Sequence, residues 1–85
     1  MTIYELEHER LEEGFNQFDY NWETKKRLLY LKLETAVKYV YDQAYETGIQ
    51  LPLQSVKFPA GTEIAVRFQL GDTYRWTISP IKVIE

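Results

Sequence analysis

Two segments, Thr62–Leu70 and Tyr74–Ile78, alternate apolar and polar residues so regularly that few arrangements keep both apolar sets out of water. Ile64, Val66, Phe68 and Leu70 must share a face with Tyr74, Trp76 and Ile78, because a slip of one residue turns every side chain of a strand over. A two-residue loop of Gly71 and Asp72 sets Phe68 opposite Arg75 and fails that requirement. A three-residue loop, Gly71-Asp72-Thr73, sets Leu70 opposite Tyr74, Phe68 opposite Trp76 and Val66 opposite Ile78, which satisfies it. A further strand over Ser55–Phe58 is expected to join through Pro59-Ala60-Gly61, with Val56 beside Ile64. The long strand is then central, and Pro80, lacking an amide hydrogen, belongs to an edge strand.

Upstream, the pattern reads as helical. Thr2 and Glu5 have the spacing of a capping box, so a first helix is predicted over about 2–13, with Tyr4, Leu11, Phe15 and Phe18 on its apolar side and Gly14 near its end. Asn21 is a candidate N-cap for a second, long helix over about 22–47, closed by Gly48 as its C′ glycine. At 100° per residue, Leu29, Leu33, Ala36, Val37, Val40 and Ala44 form one broad stripe flanked by Tyr30 and Tyr41. Leu28, Leu31, Thr35 and Tyr39 lie nearly opposite, and that side is too apolar for a freely solvated helix face. The expected fold is therefore α+β, one domain over residues 1–85: two N-terminal helices, the second long, then a three-stranded antiparallel meander over about 55–58, 62–70 and 74–78, in the order ααβββ. The long helix is its middle layer, covered on its second side by helix 1, by a second copy or by another protein.

The formal charge of −3 hides a division. Residues 1–23 hold seven acids against Arg10, giving −6, while residues 24–85 hold nine bases against six acids, giving +3. An acidic first element complementing a basic remainder explains this without a partner. The chain has no cysteine, no apolar run near the roughly 20 residues that cross a bilayer, and no secretory pattern at its start, so a cytoplasmic setting without membrane contact is expected.

Catalytic chemistry is thinly represented. His8 is the single histidine, and Ser55 and Ser79 have no partner to activate them. Glu5, His8 and Glu9, with Glu12 or Glu13, recur at helical spacing, but one element rarely supplies a whole metal site, so neither metal nor cofactor is expected. No phosphate-binding glycine loop occurs. The sequence therefore points to a non-catalytic protein-binding module, a small acidic accessory regulator or inhibitor of the type that phages and other mobile elements make. Its candidate contacts are the acidic Glu9, Glu12 and Glu13 and the apolar or aromatic Leu28, Leu31, Tyr39 and Tyr45. The alternative is nucleic-acid binding through the cluster Lys25, Lys26 and Arg27 with Lys57, Arg67 and Arg75 on the outer sheet face.

Overall fold

The computed structural model describes residues 1–13 and 20–84. Among them the chain forms β1 (Thr2–Glu13), β2 (Tyr20–Tyr30), α1 (Leu33–Glu46), β3 (Leu53–Lys57), β4 (Val66–Leu70) and β5 (Tyr74–Lys82). All pairings are antiparallel, in the spatial order β2-β1-β5-β4-β3. The expected ααβββ order is thus corrected to ββαβββ: one helix of 14 residues lies on a five-stranded sheet.

The first predicted helix is a strand. Tyr4, Leu6 and His8 alternate with Glu5, Glu7 and Glu9, and burial on both sides of β1 uses that period of two: Leu6 is fully buried under α1, and Glu9 is buried on the other face. Glutamate favours helix over strand intrinsically, and a capping-box spacing reinforced that signal, yet pairing with two neighbouring strands outweighs local propensity. Phe15 and Phe18, expected on the same helix, lie outside the described residues, as does Gly14.

The predicted second helix is divided. Asn21 is no N-cap but a β2 residue opposite Glu12, and Trp22–Tyr30 is strand. The helix begins only after Lys32, whose extended backbone (φ −128°, ψ 137°) offers no side-chain cap. The apparent two-sided helix is thereby explained. Leu28 and Tyr30 sit on the sheet face under α1, opposite Leu6 and Tyr4, while Leu29 points from the other face and is 63% exposed. Ala36, Val40 and Ala44 are the buried stripe of α1, with Leu33 and Val37 beside them, as the helical periodicity predicts. Gly48, with φ 74°, follows the helix as expected. The Thr47 hydroxyl, 2.7 Å from the Ala44 carbonyl, and the Thr47 amide, 3.2 Å from the Gln43 carbonyl, satisfy its last turn.

The odd-length Gly71-Asp72-Thr73 loop and its register stand: Leu70 faces Tyr74, Phe68 faces Trp76 and Val66 faces Ile78. The other hairpin differs. Its connection runs over residues 58–65, so Val56 pairs with Arg67 rather than Ile64 and turns outward, and Leu53, Ser55 and Lys57 face α1 instead. The middle strand is β5, not β4. Pro80 therefore lies in the centre of the sheet's order, not on an edge strand. Ile78 accepts a bond from the Ala65 amide at 2.8 Å, so Pro80, two residues on, turns its nitrogen to the same side, past the end of β4, where no donor is needed.

The core is Trp76, Ile78, Leu6, Phe68, Leu70 and Val66 on the sheet, closed by Ala36, Val40 and Ala44. The small helix residues let α1 approach closely, and its tightest contacts are with β1 and β2.

Candidate functional site

The helix does not cover the whole sheet. Over β1 and β5 the sheet offers Leu6, Trp76 and Ile78 as an apolar bed, but the helix-facing positions of β3 are Leu53, Ser55 and Lys57, of which only the first is apolar. Burying a serine and a lysine under α1 gains little and strands polar groups, so α1 lies toward β1. What remains is an open groove of about 690 Å³ between the helix and the β3 side of the sheet. Leu33, Val37 and Tyr41 form its helix wall, and Val66 and Phe68 its floor. Tyr41 stands edge-on to Phe68, ring centroids 5.8 Å apart, and is still 55% exposed. Charge is confined to the rim: Glu34 and Lys38 on the helix, Lys57 on the strand. Apolar walls with a few polar groups at the mouth are the usual make-up of a ligand or peptide site.

The opposite, helix-free face is already committed internally. Arg75 donates from Nε to Glu9 Oε1 at 3.1 Å and from Nη2 to Oε2 at 2.7 Å, and its guanidinium lies 4.2 Å from the Trp22 ring centroid. Thr77 Oγ1 adds a long contact of 3.5 Å to the same carboxylate and accepts from Arg67 Nε at 3.1 Å. Arg27 pairs with Glu7 at 3.5 Å, and the Thr24 hydroxyl donates to Glu7 as well. The acidic first segment thus meets the basic remainder within the molecule, as the charge division suggests.

These contacts disperse the candidate residues. Glu9 is buried, Glu12 is 3.0 Å from Lys25, and Glu13 ends β1 opposite Tyr20, its side chain outside the described residues. Leu28 is half-buried on the sheet, Leu31 is exposed in the β2–α1 turn, Tyr39 packs on Tyr30 with Lys26 over its ring, and Tyr45 is 88% exposed near the helix end. They do not form one surface. The cationic set is equally divided. Lys26 and Lys57 are on the helix side, Arg27, Arg67 and Arg75 on the other, and Lys25 stands at a bulge between Glu12 and Glu23. Hydrogen bonds to Glu12 and then Glu23 raise the Lys25 pKa above its ordinary value. Lys57, predicted on the outer face, moved to the inner one with the reversed parity of β3.

Strand alternation also separates Glu5 and Glu9 from His8, which faces the helix side and stacks on Trp76 at 4.9 Å. Among the described residues, no group of three or more acidic or histidine side chains is placed to hold a metal ion. Among the described residues, no helix is long and apolar enough to cross a membrane.

The groove residues Tyr41, Val66 and Phe68 were legible as core or core-flanking positions, but nothing in the sequence marks them as lining a shared opening. Their one signal is the weak apolar pattern of β3, LQSVK, which leaves the sheet underfilled on that side. No protein-family model, curated protein or solved structure matches this chain.

Proposed function

We propose that this chain is a non-catalytic protein-binding module and that its binding surface is the groove between α1 and β3–β4. The supporting observation is an apolar groove of about 690 Å³, open to solvent beside an edge strand and rimmed by few charges. Binding there acts by occlusion or scaffolding, because the walls and floor of the groove are largely apolar and its charged side chains, Glu34, Lys38 and Lys57, stand at the rim. Nucleic-acid binding is the weaker reading: its cations lie on two faces, and Arg75, Arg27 and Lys25 are paired with carboxylates.

A photo-crosslinking amino acid placed at Tyr41, in the groove, or at Leu29, on the opposite face, tests the proposal in native lysate with and without nuclease. A discrete protein adduct from position 41 alone, resistant to nuclease, is expected. Adducts from neither position, or from Leu29 only, refute the groove; adducts that vanish with nuclease favour the nucleic-acid reading.

A further inference from the structure

The open edge of β3 specifies how the groove is filled. The Phe58 amide donates to the Ala65 carbonyl at 3.0 Å, so it points toward β4. Backbone groups alternate along a strand, so Gln54 and Val56 also turn toward β4, and the N–H and C=O groups of Leu53, Ser55 and Lys57 turn outward. In the described sheet, β3 has β4 as its single strand neighbour. Three residues with outward-facing donors and acceptors thus lie along the lip of the groove, and their side chains face it.

The two sheet edges are protected differently. Along β2, Lys25, Lys26 and Arg27 are consecutive and the pairing with β1 slips between His8 and Glu9, a cationic and bulged edge of the kind that discourages another strand. Along β3 there is no register shift and one cation, Lys57, at its end; Val56, on the outer face, is 58% exposed. The β3 edge thus lacks the bulge and the run of cations that protect the β2 edge.

We infer, building on the groove reading above, that the occupant is an extended segment of a partner protein with alternating apolar side chains and an acidic residue, added as a sixth, antiparallel or parallel strand beside β3. Its backbone pairs with Leu53, Ser55 and Lys57. Every second side chain then falls on the helix side and enters the groove, and the others lie beside Val56. The acidic residue answers the charges at the mouth, where Lys38 and Lys57 outweigh Glu34. A second copy of this chain fits less well. Two-fold pairing about Ser55 sets each Lys57 against the other copy's Leu53 and brings two cationic rims together. It also buries little more than a five-residue edge, well short of the roughly 1,200 Å² of a stable interface.

The test is to pan a phage-displayed library of random linear dodecapeptides on the full chain, then measure synthetic copies of the enriched sequences against it and against Ser55→Pro and Tyr41→Ala. Proline at Ser55 removes an amide hydrogen that β4 does not use, so the sheet survives while strand addition loses a bond and meets the ring. Enriched sequences that alternate apolar residues and carry Asp or Glu, with Kd raised at least about tenfold by Ser55→Pro and several-fold by Tyr41→Ala, support the inference. Amide exchange on the unsubstituted chain gives an independent reading: saturating peptide should slow exchange at Ser55 and Lys57 while Val56, already protected, stays unchanged. Peptides weakened by Tyr41→Ala but not by Ser55→Pro, with no protection at Ser55, overturn strand addition and leave the groove standing. Peptides indifferent to both substitutions, or no enrichment at all, overturn both. Sedimentation equilibrium showing a dimer that Ser55→Pro dissolves makes the second copy the occupant and overturns the partner segment.

Discussion

Glu9 and Arg75 are neighbours only if the first segment of the chain is a strand lying beside β5. They are 66 residues apart in sequence, and their register position, Glu9 opposite Arg75, places both on the helix-free face. The side chains are 12% and 18% exposed, joined by two hydrogen bonds, with Trp22 over the guanidinium. Glu9→Gln keeps the shape but leaves a largely buried guanidinium without its counter-charge. Breaking a fully buried pair from one side costs about 3–5 kcal/mol, and the residual exposure here reduces that to about 2 kcal/mol. Arg75→Gln should cost slightly more, about 2.5 kcal/mol, because the cation–indole contact goes as well. The double substitution should cost about 3 kcal/mol, less than the two singles together, so the coupling is about 1.5 kcal/mol. A domain of this length holds about 4–13 kcal/mol, so all four chains should remain folded enough for urea unfolding at neutral pH with similar m-values. A coupling within about 0.5 kcal/mol of zero would refute the pairing and with it the placement of β1.

Burial, stacking and backbone conformation elsewhere in the fold set three further outcomes. Leu6→Ala, at a fully buried site, should lower stability by about 3 kcal/mol, whereas Leu31→Ala, at a residue 70% exposed, should change it by less than about 0.5 kcal/mol; equal effects in urea unfolding would contradict the assigned burial. His8 is stacked on Trp76, its buried Nδ1 has no hydrogen-bond partner among the described residues, and burial holds its pKa below the ordinary 6.5. The native state therefore takes up this proton less readily than the unfolded chain. Its share of stability is complete above pH 6.5 and is lost as pH falls from there through the depressed native value. Urea midpoints of the natural chain should fall more between about pH 7 and 5 than those of His8→Phe, and parallel profiles would remove His8 as the cause. Gly71→Ala should destabilise by about 1 kcal/mol, since φ is +58° and the new methyl group would stand 3.3 Å from Leu51 Cδ1; an unchanged melting temperature would mean the loop relaxes freely.

By itself the sequence determined the features that local chemistry controls. The parity of Val66–Leu70 and Tyr74–Ile78 settled the odd length of the GDT loop and three cross-strand pairs, because an even-length loop would put Phe68 and Trp76 on opposite faces. The 3.6-residue spacing of Ala36, Val40 and Ala44, followed by Gly48, located the buried side and the end of α1. Tertiary structure decided the rest. Thr2–Glu13 carries both a helical spacing and an alternation of two, and which prevails depends on β5, more than 60 residues away: Leu6 gains Ile78 as a neighbour and Glu9 gains Arg75 only in the strand. Between Tyr30 and Leu33 no glycine, proline or capping side chain marks the change from strand to helix, so the break at Leu31 and Lys32 is imposed by where β2 ends against β1. The groove follows from the same cause. Whether Leu33, Val37 and Tyr41 are covered depends on the strand beneath them, and the eight-residue connection over 58–65 turns Ser55 and Lys57, rather than Val56, toward the helix. Short-range periodicity fixes which side of an element is apolar; only the non-local pairing of the first and last strands selects what that side meets.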